Sequence, residues 1–210
     1  MQKILGYMRR ACQEFDLIED GDKIAVGVSG GKDSLVLLCG LAEMRRFYEK
    51  KYDICAITLD PRFGGKETDY SPVARLCEKY GIEFKLVKTD IGEIVFDIRK
   101  EPNPCSLCAK MRRGALHDVA KSMGCNKLAL GHNNDDAIET FVMNLLNEGR
   151  IGCFAPISYL SRKDITVIRP LVFAPEQAVM SCAKRNNLEI VKSRCPADKT
   201  TRRQWTKELL

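Results

Sequence analysis

The chain has 210 residues, 45% of them hydrophobic, which is enough to bury a core and excludes intrinsic disorder for most of its length. Its longest apolar runs are only as long as strands, and its first residues lack the apolar core of a signal peptide, so we expect a cytoplasmic protein with no membrane anchor. Ten cysteines in such a chain indicate a reducing compartment, and a net charge of +6 does not indicate nucleic-acid binding by itself.

Apolar patterning predicts helices and strands that alternate along the chain. The alternation predicts an α/β fold, a doubly wound, mainly parallel, five-stranded sheet with helices on both faces, in which ligands bind beyond the carboxyl ends of the strands. We expect a single domain spanning 1–210, with an N-terminal helix within 1–20 and a basic helical segment at 184–210. In chain order the predicted elements are a helix at 1–18, a strand at 23–28, a helix at 35–51, a strand at 53–60, a helix at 71–81 with Ser71 as its N-cap, a strand at 82–87, a helix at 108–123, a strand at 126–131, a helix at 135–149, a strand at 164–171, and helices at 176–187 and 200–210.

A glycine-rich segment, which we call the phosphate loop, joins the first predicted strand to the next helix. Its glycines allow a tight turn that brings backbone N–H groups to an anion, and the helix start and a lysine add positive charge. The alternative is an ordinary strand-to-helix turn. The segment is not a Walker A loop, since Val26 stands where that motif needs glycine and Asp33 where it needs Ser or Thr. The loop consists of Ser29, Gly30, Gly31, Lys32, Asp33 and Ser34.

A second polar segment, GHNNDD at 131–136, follows the fourth predicted strand. Adjacent carboxylates there can hold Mg²⁺ or orient a nucleotide, whereas the alternative is that Asp135 caps the following helix. We favour Asp136 as a catalytic or metal-orienting group. Asp60, at the end of the second strand, is placed either to approach a ligand bound at that edge of the sheet or to act as an ordinary turn carboxylate.

Cys105 and Cys108 lie three residues apart at a predicted helix start, where two thiols can face one ion. The helix dipole and the nearby Lys110, Arg112 and Arg113 are expected to lower the thiol pKa values. A third candidate ligand is Cys195. The alternatives are a redox-active pair, a zinc half-site that would need one of the two histidines, His117 or His132, as a further ligand, and an incidental pattern.

The segment 184–210 holds most of the excess positive charge, with eight basic residues against three acidic ones. It includes Arg202 and Arg203 and adjoins Cys195. A solvated helix face explains such a pattern, and so does an RNA backbone bound beside the cysteines.

Taken together, SGGKDS, PCSLCAKMRRG, GHNNDDAIET, VIRPL and CPADKTTRRQ resemble the tRNA 2-thiolation enzymes among the N-type ATP pyrophosphatases, and most closely the tRNA 2-thiocytidine synthetase group. The resemblance implies that ATP, with Mg²⁺, is split to AMP and pyrophosphate, and that three cysteines hold a [4Fe–4S] cluster. In this sequence the implied cluster ligands are Cys105, Cys108 and Cys195. The implied ATP contacts are Ser29, Gly30, Gly31, Lys32, Asp33, Ser34, Asp60, Gly131 and Asp136, with Lys32 and Asp136 catalytic, and the implied RNA contacts are Lys110, Arg112, Arg113, Arg202 and Arg203.

The implied reaction adenylates O2 of a flipped-out cytidine, after which sulfur replaces that oxygen. Two alternatives stay open at this point: thiolation of uridine or of another acceptor by the same chemistry, and a cluster-binding RNA module without turnover. The expected partners are tRNA and a sulfur donor, either sulfide or a cysteine desulfurase. A homodimer is a further expectation.

Overall fold

The computed structural model of the chain describes residues 1–100, 103–197 and 202–210, with the side chains of the last segment described from 204 onward. The six strands are β1 (Asp22–Gly27), β2 (Tyr52–Asp60), β3 (Glu83–Lys88), β4 (Lys127–Ala129), β5 (Ile157–Leu160) and β6 (Ile165–Ile168). The seven α-helices of the described residues are α1 (Gln2–Glu14), α2 (Lys32–Met44), α3 (Ser71–Tyr80), α4 (Pro104–Ser122), α5 (Asn134–Glu148), α6 (Glu176–Arg185) and α7 (Arg202–Leu209).

The strands form one sheet in the order β3-β2-β1-β4-β6-β5. All neighbours pair in parallel except β5 and β6, which form an antiparallel hairpin. The predicted α/β class and the mainly parallel sheet are therefore confirmed, but the predicted number of five strands is wrong. The missed strand is β5, a short edge strand whose side chains alternate between exposed and half-buried and so carry no buried apolar run.

The order of the strands places a crevice at the middle of the sheet. After β1 the chain builds outward through β2 and β3, then returns to add β4 on the other side of β1. Strand β1 is hydrogen-bonded to β2 and to β4, so the connections that leave β1 and β4 diverge at their carboxyl ends. This is the topological switch point at which open α/β sheets bind ligands.

Helices cover both faces of the sheet, as predicted. Alternate residues of β1 face opposite sides: Ile24 and Val26 pack with α1, α2 and α6, whereas Ala25 packs with α4. Helix α2 is buried on all sides, with Leu35, Leu37, Leu38 and Leu41 at most 1% exposed. The central strands and α2 thus provide a rigid base for the loops at the crevice.

Two local predictions need correction or extension. Ser71 is the first residue of α3 rather than its N-cap, and the carboxylate of Asp69 accepts the Ser71 N–H at 2.9 Å. The predicted stop at Gly81 is confirmed, with a φ of 62°. A short π-type turn at Glu93–Ile98, which precedes α4, was not predicted. No helix in the described part of the chain is long and apolar enough to span a membrane.

Candidate functional site

A cavity of about 590 Å³ opens at the switch point. Its floor is formed by residues at the ends of β1 and β2, such as Val28 and Leu59, and α4 covers one side with Arg112 and Arg113. The residues that follow β4 and β6 complete it on the other side. Such a concave site, apolar at its base and polar at its rim, is typical of small-molecule binding.

The phosphate loop lies at the edge of this cavity and has the geometry of an anion site. Gly30 has a φ of 82°, a conformation that side chains other than glycine rarely adopt. The hydroxyls of Ser29 and Ser34 lie 3.2 Å apart, and Ser34 Oγ donates to the Gly31 carbonyl at 2.9 Å. Among the described residues no side chain caps the start of α2, which leaves that helix terminus available to a phosphate group.

Lys32 is held between two carboxylates. Its ammonium lies 2.9 Å from Asp33 Oδ2 and 2.9 Å from Glu176 Oε1, and Glu176 also pairs with Lys207 of α7. Burial pulls the pKa of Lys32 down, but the hydrogen bonds and charges of Asp33 and Glu176 outweigh it, so the pKa is raised. Lys32 is therefore held in its protonated form at the loop, and its role toward phosphate groups stays a prediction.

The segment after β4 is tied to the phosphate loop by Asn133. This buried residue is the N-cap of α5: its Oδ1 accepts the Asp136 N–H at 3.0 Å, and Asp136 Oδ2 accepts the Asn133 N–H at 2.9 Å. Its Nδ2 donates to Asp33 Oδ1 at 2.9 Å. The cap of α5 is thus Asn133 and not Asp135, whose carboxylate instead accepts the Glu176 N–H at 2.6 Å. The hydrogen bond from the Asn133 N–H gives the Asp136 carboxylate a structural role in the helix cap, and its catalytic role stays a prediction.

Gly131 and Asp60 occupy different positions relative to the cavity. Gly131 lines it, and a Cβ on Gly131 would lie 3.0 Å from the backbone carbon of Asp33, so a larger residue there would have to displace the phosphate loop by a few tenths of an ångström. Asp60 is buried, and its two oxygens accept the N–H groups of Arg62 and Thr68 at 3.1 and 3.0 Å. These bonds match the turn-carboxylate alternative, and a contact between Asp60 and the adenosine stays a prediction.

The third cysteine lies within electrostatic range of the other two. Cys105 and Cys108 lie on the first turns of α4, and Cys195 lies close enough for its charge to affect both thiols. Burial raises the pKa of Cys105, and Cys195 raises it further. Burial likewise raises the pKa of Cys108, where Arg112 opposes it and the other two thiols add to it.

The expectation that the basic residues lower these thiol pKa values is therefore wrong for the protein alone. Desolvation and mutual repulsion of the thiolates outweigh the charge of Arg112. A bound cation reverses this balance, because a thiol that coordinates a metal is deprotonated outright. No three Cys, His, Asp or Glu side chains within the described ranges are grouped closely enough to hold a single ion. Three cysteine thiols are, by their chemistry, a donor set that fits an iron–sulfur cluster.

The segment that carries Cys195 also contacts the phosphate loop. Val191 N donates to the Gly30 carbonyl at 3.0 Å, and a Cβ on Gly30 would lie 2.6 Å from Val191 Cβ. Of the predicted RNA contacts, Lys110 and Arg113 are exposed and Arg112 is half-buried. The side chains of Arg202 and Arg203 lie outside the described residues.

A family model described as a PP-loop domain matches residues 6–210. The chain belongs to the PP-loop family. This PP-loop protein is 38% identical to the tRNA-cytidine(32) 2-sulfurtransferase of Citrifermentans bemidjiense, over 99% of this chain and 82% of the relative. It is 39% identical to the enzyme of the same name from Geobacter sulfurreducens, over 100% of this chain and 82% of the relative. The family resemblance of the sequence motifs is confirmed.

Solved structures of other proteins share the fold of this chain. The U34-tRNA thiolase NcsA from Methanococcus maripaludis, with its [4Fe-4S] cluster, superposes with a TM-score of 0.78 at 29% identity, covering 98% of this chain and 71% of that chain. An NH3-dependent NAD synthetase from Campylobacter jejuni shares the fold alone, with a TM-score of 0.53 at 18% identity over 89% of this chain and 73% of that chain.

Sequence reasoning missed four polar or aromatic residues of the PP-loop protein's site. Asn133 and Glu176 bind residues of the phosphate loop, and Phe154 and Arg169 line the cavity. Arg169 was part of the quoted VIRPL motif, and Glu176 opens a helix after a proline, but neither pattern by itself indicates a ligand site.

Proposed function

We propose that this PP-loop protein is an ATP-dependent tRNA sulfurtransferase that replaces the O2 atom of a cytidine with sulfur. Relatives 38% and 39% identical over the whole chain are named for this reaction. The observation that supports the proposal is that Cys195, from a distant segment, lies within electrostatic range of Cys105 and Cys108 on α4 and follows four residues after Val191, whose N–H hydrogen-bonds to Gly30 of the phosphate loop.

The first step is adenylation. The phosphate loop and the start of α2 would bind the phosphates of ATP, and Lys32 would neutralise their charge. Asp33, whose carboxylate lines the cavity, and Asp136 are the residues we propose for orienting Mg²⁺ and the nucleotide. The O2 atom of the cytidine attacks the α-phosphorus, and pyrophosphate leaves. The adenylate turns O2 into a good leaving group.

In the second step a sulfur nucleophile attacks C2, and AMP leaves with the original oxygen. Cys105, Cys108 and Cys195 would hold a [4Fe–4S] cluster, which would bind sulfide from the donor and present it as the nucleophile. The arginines of α4 bring positive charge to the rim of the cavity, where the tRNA backbone must approach. C2 is out of reach within a stacked helix, so the acceptor base must be extruded into the cavity.

Further expectations stay predictions. Either inorganic sulfide or a cysteine desulfurase supplies the sulfur, and Arg202, Arg203 and Lys110 contact the tRNA. We also infer that the chain forms a homodimer, supported by the side chains of Ile138, Phe141 and Leu145, which follow a helical spacing on α5 and are 46%, 39% and 44% exposed.

The experiment is a thiolation assay with the full chain reconstituted anaerobically with iron and sulfide. An unmodified tRNA transcript is incubated with ATP, Mg²⁺ and sulfide, and its nucleosides are analysed by mass spectrometry. We expect 2-thiocytidine with the wild-type chain and none with Cys105→Ala or Cys195→Ala, which should also lose the cluster absorbance. The matched control is Cys153→Ala, the same change at an exposed thiol outside the group, which should retain the cluster absorbance.

Each alternative gives a different result in this assay. If 2-thiouridine forms instead, the acceptor is uridine. If pyrophosphate is not released with or without tRNA, the protein is a binding module without turnover. If a variant that lacks all three cysteines still thiolates tRNA, the role assigned to the cluster is wrong.

A further inference from the structure

Arg169 is a cation of the cavity that the chemistry described above does not use. It follows directly after β6, and its side chain is half-buried and lines the cavity. A guanidinium has five N–H donors. Among the described residues only one of them is used, by Nη1 to the Ala155 carbonyl at 2.6 Å, and the buried Nε has no partner. Buried donors are rarely left without a hydrogen-bond partner, so the Arg169 Nε–H calls for one.

The orientation of this guanidinium is fixed by its neighbours. Its central carbon lies 5.0 Å from the centre of the Phe154 ring, and Phe154 in turn packs against His132 with ring centres 4.9 Å apart. The aromatic ring sets the plane of the guanidinium, and the Ala155 carbonyl sets its rotation within that plane. The remaining donors are therefore preorganised.

No carboxylate of the described residues neutralises Arg169. The charged or titratable groups that act on it are the thiol of Cys153 and Arg113, which lies on α4 and lines the same cavity. Burial lowers the pKa of Arg169, and Arg113 lowers it further, against the opposing effect of Cys153. Arginine nevertheless stays charged in proteins. An unpaired, oriented and charged donor in a cavity suits a ligand that offers adjacent acceptors.

We propose that Arg169 reads the acceptor base, donating two parallel hydrogen bonds to the O2 and N3 atoms of a flipped-out cytosine. The inference rests on the proposed function. Cytosine has two adjacent acceptors on this edge, which match the planar fork of a guanidinium. Uracil has an N–H at position 3, which would face a donor. Arg169 thus determines specificity for cytidine, and Phe154 positions it.

The position of Arg169 fits this role. Arg169 follows β6, whereas the phosphate loop follows β1, and β4 lies between those two strands in the sheet. A nucleotide whose phosphates lie on the phosphate loop leaves the Arg169 side of the cavity to the second substrate. Extruded bases are recognised by hydrogen bonds to this edge and by stacking on aromatic or guanidinium planes.

The test uses two tRNA transcripts that differ only in C or U at the acceptor position. Wild-type, Arg169→Gln and Arg169→Lys chains are compared in kcat/KM for thiolation, in equilibrium binding of each transcript and in affinity for a non-hydrolysable ATP analogue. We expect Arg169→Gln to lower kcat/KM on the C transcript by about 5- to 150-fold, the range for one bidentate contact, and to abolish the preference for C over U. ATP affinity should not change.

The lysine variant and two further variants serve as controls. Arg169→Lys keeps the positive charge but not the planar pair of N–H donors, so it should lose the preference for the C transcript over the U transcript while still binding tRNA well. Phe154→Leu keeps the arginine and should reduce the same preference, and it provides the test if Arg169→Gln does not fold. Arg162→Gln removes an exposed cation outside the cavity and should behave as wild type.

Three results would overturn the inference. One is an unchanged preference for C in Arg169→Gln. Another is a loss of ATP affinity with the base preference intact, which would make Arg169 a phosphate ligand. The third is a wild-type chain that binds both transcripts equally and thiolates both. If the wild-type chain thiolates neither transcript, the proposed function fails, and the binding preference for C still decides the role of Arg169.

Discussion

Replacing Asn133 by alanine should destabilise the protein and weaken ATP binding together. The change removes the N-cap of α5, which costs about 1 kcal/mol. It also removes the hydrogen bond from Nδ2 to the Asp33 carboxylate at 2.9 Å, and a hydrogen bond to a charged group contributes about 1.5–3 kcal/mol. Since Asn133 is only 3% exposed, water cannot replace these bonds easily. We expect a loss of about 3 kcal/mol in the free energy of unfolding.

The assay is urea and thermal unfolding, followed by the KM for ATP in pyrophosphate release. For a chain of this size each 1 kcal/mol corresponds to about 2–4 °C in Tm, so Asn133→Ala should melt about 6–12 °C lower. Asn133→Ser separates the two contributions, because serine is a good N-cap but is too short to reach Asp33. It should recover about 1 kcal/mol of stability without restoring the KM for ATP.

Asn134→Ala is the matched control. Its side chain makes only a 3.5 Å contact with the Val172 carbonyl, so the change should cost less than about 0.5 kcal/mol. The reasoning is refuted if Asn133→Ala unfolds within 1 kcal/mol of wild type, or if Asn133→Ser and Asn133→Ala have the same stability.

Three other changes test the same structure. Gly30→Ala forces a Cβ to within 2.6 Å of Val191 at a φ of 82°. The free energy of unfolding should therefore fall by more than the roughly 1–2 kcal/mol that a left-handed residue costs alone, and ATP binding should weaken. Gly64→Ala, at a φ of 61° with open space around it, should lose only that conformational part in urea unfolding. Lys127→Met leaves the carboxylate of Asp22 buried without its 2.8 Å partner, and we expect a loss of about 3–5 kcal/mol in urea unfolding, with a loss below 1 kcal/mol contradicting the pair's role. Burial, helped by Lys163 and Arg113, lowers the pKa of His117 below its ordinary 6.5, so the unfolded chain takes up a proton before the folded one and stability should fall as pH drops below about 6.5. His117→Gln should flatten that part of the pH profile, and an unchanged profile between pH 7 and 5 would contradict the assignment.

The fold was predictable where burial leaves a pattern in the sequence. Strands β1 and β2 are continuous apolar runs, and both strands were predicted. Helix α3 has a proline near its start and a glycine at its end, so the end of this helix was predicted as well. The edge strand β5 has no such pattern, because half of its side chains face solvent. A hairpin partner of this kind is recognised only once the rest of the sheet is known.

The candidate site was predictable where a short motif carries the chemistry. The phosphate loop and the cysteine pair are local in sequence, and α4, which carries the pair, lines the same cavity as the loop. The contacts of Asn133 and Glu176 with the loop join residues 100 and 144 positions apart, so neither was visible in the sequence. The thiol pKa values were mispredicted because basic neighbours can be read from sequence, whereas desolvation cannot.

The backbone bond between Val191 and Gly30 ties the stretch of chain before Cys195 to the phosphate loop. Only three residues separate Val191 from Cys195, and the side chain of Val191 occupies the space that a side chain on Gly30 would need. A substitution that shifts this stretch would therefore alter the turn at Gly30 without changing any residue of the phosphate loop.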